Sequence, residues 1–205
     1  MGSPDRRPRR RIMTLGNLAA FFQRDVKRLL AYSAISQVGY LLMPIAMAGR
    51  SSIAQQALLF YLAGYALTNL GAFAVVCALP RATDIEDYRG LVRRRPALAV
   101  SLAVCLLGLV GTPPTAVFLG KLEAFSAAVD GGYAWLAVVA AVNTVASRFY
   151  YLRWIAPAVS GRPQEPLSRV SNRPSTVAYA AATASVVLGV VGGPLLAVLD
   201  GPLAR

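Results

Sequence analysis

Residues 111–121 read Gly-Thr-Pro-Pro-Thr-Ala-Val-Phe-Leu-Gly-Lys and lie inside an apolar run that extends from 97 to 129. Two prolines in succession cannot continue a helix. Each removes a backbone donor and clashes with the preceding turn, at a cost of about 3 kcal/mol or more. The sequence therefore predicts a helix broken at Gly111, Thr112, Pro113 and Pro114, with carbonyls left without intrahelical donors. At membrane depth such groups persist only where protein or water covers them, and broken helices are a recurrent way of building ion sites in transporters. Lys121 follows the break by about two turns, within reach of the opened backbone. Of 21 basic residues, only Lys27 and Lys121 are lysines. A guanidinium keeps its proton in proteins, whereas a desolvated lysine amine can load and release one. The chemistry this pattern offers is reversible proton binding. A lysine eight residues from its helix end also has the length to snorkel to the interface, and both readings stand at this point.

Other polar residues recur at helical spacing. Ser33, Ser36, Gln37 and Tyr40 share a face of segment 26–48, and Tyr61, Tyr65, Thr68 and Asn69 share one on 52–79. Stripes of this kind line water chains or tie helices together by hydrogen bonds. A third patch, Asn143, Thr144, Ser147 and Arg148, falls on 133–157. Arg148 lies deep in its span, and Glu123 is the expected ion-pair partner at similar depth. There is no histidine, and Cys77 and Cys105 both fall inside apolar runs, so no metal site or disulfide is expected. Nor is there a Gly-rich phosphate loop or a nucleophile triad, so no cofactor and no nucleic-acid partner is expected.

These residues must be positioned by helices in a bilayer. The chain is 56% hydrophobic yet carries a formal charge of +12, two facts that fit together when apolar runs alternate with basic loops. The runs are 26–48, 52–79, 97–129, 133–157 and 175–199, each near or beyond the roughly 20 residues a crossing needs. With no water in the hydrocarbon region, they should be helices. Basic residues cluster at 24–28, 81–95 and 153–173, while the turns near 50 and 131 are nearly bare. Splitting 97–129 into two crossings would put the last cluster on the opposite side from the second. One interrupted crossing keeps all three on the cytoplasmic side. The expected fold is all-α, a polytopic membrane bundle (12–199) of five complete crossings, with one broken at 111–115 and the C-terminus outside. Residues 1–11, with five arginines and no following apolar core, are expected to form a disordered cytoplasmic tail rather than a secretory signal. Segment 12–22 is too short to cross and should lie at the interface or partly against the bundle. Residues 200–205 form a short tail.

Five stretches carry a resemblance: "GNLAAFFQRDVKRLLAYSAISQVGYLL", "YLAGYALTNLGAFAVV", "DYRGLVRRRPALAVSLAV", "GTPPTAVFLGKLEAF" and "NTVASRFYYLRW". In order and spacing, over about residues 15–157, they resemble the C-terminal half of the subunit N family of proton-pumping NADH:quinone oxidoreductase, respiratory complex I. "TNLGAF" discriminates, since the sister antiporter-like subunits tend to carry lysine where Asn69 stands. The resemblance implies the second of two inverted five-helix repeats, a bacterial plasma-membrane location, and proton transfer by buried lysines while quinone is reduced elsewhere in the complex. It places Lys121 on the lysine of the second broken helix and Gly111, Pro113 and Pro114 on its break, and the polar stripes add Asn69, Tyr65, Gln37 and Ser33 as proton-path candidates. Lys27 and Arg28 fall on a basic pair at the cytoplasmic surface. Any redox label belongs to the whole complex. Other membrane subunits of complex I, and a separate chain carrying the absent first repeat, are the expected partners. A structural or assembly role without proton transport, or a cation/proton antiporter fragment, are the alternatives. Two positions depart from the pattern: Gln37 stands where the family often has histidine, and Arg148 where an apolar residue is usual.

Overall fold

The structure, a computed structural model, describes residues 7–160 and 170–199. It describes only the backbone at 7–11 and 195–199. Among the described residues eight α-helices follow one another: α1 (Arg7–Phe21), α2 (Val26–Met47), α3 (Ala54–Ala78), α4 (Leu91–Arg94), α5 (Pro96–Val110), α6 (Ala116–Asp130), α7 (Ala134–Ser160) and α8 (Asn172–Leu199). A 3-10 turn at Ile85–Tyr88 precedes α4. By length and composition, Val26–Met47, Ala54–Ala78 and Asn172–Pro194 can each cross a bilayer alone. α5 and α6 make a fourth crossing in two 15-residue pieces. α7, 27 residues long with Arg148 and Arg153 in its run, is the fifth.

One expectation needs correction. α1 begins at Arg7, so residues 7–11 are helical rather than part of a disordered tail. Pro8 in the first turn removes a donor that has no intrahelical acceptor there, so it does not oppose this start. The basic segment 81–95 also has structure of its own. The Asp84 side chain caps the 3-10 turn in a reciprocal capping box with Asp87. The expectations for residues 1–6, for the loop at 161–169 with Arg162 and Arg169, and for 200–205 lie outside the described residues.

α3 is the central helix and packs on α8, α6, α5 and α2, while α1 lies along α2 and α7. Close approach of the backbones depends on glycine. A Cβ on Gly16 of α1 would lie 2.6 Å from Ser36 N, and one on Gly39 of α2 would lie 2.7 Å from Met13 Cβ. Van der Waals contact between small-residue faces is how helices associate where lipid removes the hydrophobic drive. This contact buries Met13, Asn17 and Ala20 and fixes the segment that was too short to cross.

The described residues of the three basic clusters gather at one end. Val26 N donates to Thr83 O (2.9 Å), Ile85 N to Arg24 O (3.1 Å), Gly90 N to Pro157 O (2.9 Å) and Ser171 N to Ala78 O (3.1 Å). Tyr88 packs edge-on against Trp154 beneath them. Backbone groups that α2, α3 and α7 leave open at or beside their ends are thus satisfied by the connecting segments. A single interrupted crossing between Pro96 and Asp130 is what allows this arrangement. Deeper in the bundle, among the described residues, lie two larger apolar clusters, besides a small one around Met47, Ala54, Ala57 and Ala127. One contains Leu29, Leu30, Val75, Leu102, Leu109 and Val110. The other contains Met13, Tyr40, Met43, Tyr61 and Val117. They meet at the helix break.

Candidate functional site

The break is terminated by residues suited to each role. Gly111 caps α5 with φ +88°, a left-handed conformation that glycine adopts without strain. Its N–H donates to Gly108 O (2.8 Å) and Leu107 O (3.1 Å), and Thr112 adds its N–H (3.1 Å) and hydroxyl (2.9 Å) to Leu107 O. Thr115 N and Oγ1 both donate to Thr112 O, at 3.1 and 2.7 Å, before α6 begins.

Two carbonyls remain, and the sequence says which. In a continuous helix Leu109 O would accept from residue 113 and Val110 O from residue 114, and both of those are prolines without an N–H. Lys121 supplies the missing donors. Its Nζ lies 3.0 Å from Leu109 O and 2.8 Å from Val110 O. Its side chain folds back over Gly111, where a Cβ would come within 2.9 Å of Lys121 Cδ. Lys121 is 3% exposed, so the snorkelling reading does not describe it here. Its ammonium also sits 4.6 Å from the centroid of the Tyr40 ring. Among the described residues no carboxylate lies within ion-pair distance of it.

Neighbouring helices extend this centre. Gln37 Nε2 donates to the same Leu109 O (2.8 Å), and Tyr61 OH donates to Gln37 Oε1 (2.5 Å). Tyr40 OH donates to Ala140 O (3.1 Å) and accepts from Thr144 Oγ1 (3.0 Å). Small residues let the backbones close in. A Cβ on Gly120 would meet Tyr61 Cα at 2.7 Å, and one on Gly189 of α8 would collide with Pro114 O.

The other sequence candidates divide. Ser33 is buried and donates to Leu30 O of its own helix (2.8 Å). Tyr65 is half-buried beside both apolar clusters. Asn69 is not hydrogen-bonded to Lys121, and its Oδ1 is buried without a partner among the described residues. The same holds for Tyr151 OH and Trp154 Nε1. The Glu123–Arg148 ion pair is not formed. Two residues beyond Lys121, Glu123 points about 200° around α6 from it, and Arg148, though exposed, stands on the flank of α7 one turn from Thr144, near enough for its charge to act on Lys121.

Sequence reasoning missed the hub at Asn17. Its Nδ2 donates to Asn143 O (2.8 Å) and Asn143 Oδ1 (3.0 Å), and its Oδ1 accepts from Ser36 Oγ (3.2 Å) and Tyr150 OH (2.9 Å). Thr68 Oγ1 and Ser185 Oγ, 2.7 Å apart, similarly tie α3 to α8.

The Lys121 geometry permits two protonation states. An ammonium has three donors, and a neutral amine keeps two. Both carbonyls can therefore stay hydrogen-bonded whether or not the third proton is present.

Comparison with known proteins shows the family and the fold. Residues 12–147 match the family model described as NADH:quinone oxidoreductase/Mrp antiporter, TM. NADH-quinone oxidoreductase subunit N of Mycobacterium sp. (strain JLS) is 59% identical over 187 residues, which are 89% of this chain and 40% of that protein. A chain of respiratory complex I from Thermus thermophilus with bound aureothin superposes with a TM-score of 0.79 at 35% identity, over 90% of this chain and 42% of that one. A chain of the Mrp complex from Dietzia sp. DQ12-45-1b has the same fold, with a TM-score of 0.78 at 22% identity over 96% of this chain and 45% of that one. The chain spans about 40% of the length of the curated relatives it matches. It belongs to the NADH:quinone oxidoreductase/Mrp antiporter transmembrane family, in which the relatives it matches are subunits N.

Proposed function

We propose that this chain supplies one half of the proton path of a subunit N-type protein, with Lys121 as the group that loads and releases the proton. The observation that carries the reading is the closure of the two proline-orphaned carbonyls by a buried titratable amine whose hydrogen-bond acceptors are neutral. An anion at contact distance would hold the proton in place. Carbonyls and a ring face stabilise the charge without trapping it. Gln37, Tyr61 and Tyr65 extend the path along α2 and α3. The unpartnered Asn69 Oδ1 is a point where water can join it. Ser33 borders the path from α2.

In this reading the end that gathers the basic loops faces the cytoplasm, by the excess of Lys and Arg there, and the C-terminus lies outside. Lys27 and Arg28 mark that surface. The partners are other membrane subunits of complex I, one of them carrying the other half of the path. Quinone reduction belongs to the assembly.

The test is proton uptake by proteoliposomes containing the complete complex. Lys121→Arg keeps the charge but supplies a guanidinium that does not release its proton, so pumping should fall to background. Lys121→Ala should do the same, with both variant complexes assembled. Equal pumping by the Lys and Arg forms would reduce Lys121 to a fixed charge. Loss of assembly in both would instead favour a structural role.

A further inference from the structure

Arg148 stands fourteen residues from the start of α7 and twelve from its end, about 18–21 Å from either along the axis. The hydrocarbon region is about 30 Å thick, and an arginine side chain spans little more than one helical turn, roughly 5.4 Å. The guanidinium therefore lies within the span of α7, about 7.5 Å along the axis from Arg153 at the basic-loop end. Arg148 is nonetheless exposed; among the described residues it has no hydrogen-bond or ion-pair partner, and the one charge it acts on is the like-charged Lys121 ammonium, which cannot neutralise it. Arg153, five residues on, shows the alternative: it donates to Phe21 O (2.8 Å) and to Gln23 O at the end of α1.

The surroundings of Arg148 narrow what can cover it. Trp135, Val138, Val142, Val145, Phe149, Leu152, Ala156 and Val159 are all exposed and alternate at spacings of three and four along the whole helix. That is the spacing of a seam for one helix crossing at a shallow angle. Lipid can also cover such a stripe. It cannot readily cover a guanidinium that sits beside the seam at mid-membrane, flanked by Val145, Phe149 and Leu152, because an unpaired charge there is expensive. In the heptad frame of the seam Arg148 takes the flanking position whose charges select the partner.

We propose that the outer face of α7 is a docking seam for a transmembrane helix of a neighbouring membrane subunit, and that this helix carries an Asp or Glu at mid-depth opposite Arg148. The occupant follows from charge complementarity, since a carboxylate offers the guanidinium a two-pronged acceptor at the depth where it has none. The proposal rests on the membrane placement of α7 and not on proton transfer at Lys121.

The test uses the full chain in membranes that contain the complete complex, with photo-reactive benzoylphenylalanine replacing Val145 or, separately, Leu152. Leu62 of α3, also exposed, is the control position. Illumination should give one protein adduct from 145 and 152 but not from 62. The peptide recovered by mass spectrometry should be an apolar segment with a central Asp or Glu. Arg148→Glu should lower adduct yield by about tenfold or more, Arg148→Lys should largely retain it, and reversing the partner's carboxylate to lysine should restore it in the Arg148→Glu chain. Adducts to lipid alone, an adduct of twice this chain's mass, or a yield indifferent to Arg148→Glu would each overturn the proposal. Chain abundance in the membrane, measured for every variant, separates loss of docking from loss of insertion. Intact pumping in any variant bears on the proton path and leaves this test unaffected.

Discussion

Two buried polar centres lie in the same bundle and differ in what they can do. At Asn17, a neutral amide joins α1 to α2 and α7 through two donated and two accepted hydrogen bonds, so its capacity is met and no proton can be exchanged at ordinary pH. At Lys121, an amine spans two carbonyls that prolines left open, beside a ring face and a shared glutamine contact. Both centres are satisfied. Only the second stays satisfied after losing a proton. The presence of polar residues at membrane depth therefore separates less than the chemistry of their donors does. A neutral amide ties helices together, and a titratable amine over spare carbonyls can carry charge.

Stability and transport variants break or sharpen that contrast. Asn17→Ala strands Tyr150 OH, Ser36 Oγ and Asn143 in a dry interior, and each orphaned group costs about 1–3 kcal/mol. It should give the largest loss of stability in denaturant titration, of order 3 kcal/mol, with pumping per assembled complex unchanged. Reduced pumping by a fully assembled Asn17→Ala complex would erase the distinction. Gly111→Ala comes next. It forces a Cβ into a left-handed backbone, at about 1–2 kcal/mol, and against Lys121 Cδ. Here stability and pumping should fall together, because the amine is pushed off its carbonyls.

Gln37→Leu removes one of the two donors to Leu109 O and the acceptor of Tyr61 OH. A loss of about 1–2 kcal/mol is expected, with pumping slowed but not abolished, since Lys121 still closes both carbonyls. Thr68→Val is the smallest. It deletes the contact with Ser185, and interhelical bonds in membranes are worth about 0.6 kcal/mol on average. Thermal unfolding should shift slightly and proton uptake not at all.

The legible parts of the molecule were those fixed by covalent chemistry within a few residues. Gly-Thr-Pro-Pro stops a helix wherever it stands, and the orphaned carbonyls follow from counting four back from each proline. The gathering of the three basic loops was readable from charge alternation alone. What failed needed azimuth or partners. Glu123 and Arg148 were matched by depth, but depth does not say which way a side chain leaves its helix. Asn17 was passed over because α1 looked too short to cross, and its burial depends on glycines that let α2 approach. Residues 7–11 were read from charge alone, and their helix continues one that α2 and α7 hold further along.

The most direct measurement exploits the lysine count. With only Lys27 and Lys121 in the sequence, labelling the side-chain nitrogens of lysine in this chain with nitrogen-15 gives two signals in lipid bilayers. Lys121→Arg removes one and so assigns both. The Lys121 signal should move between the ammonium and amine positions when a transmembrane pH gradient is imposed and then reversed, while the Lys27 signal stays ammonium. An ammonium signal from Lys121 that never changes under any gradient would contradict reversible proton binding at the break.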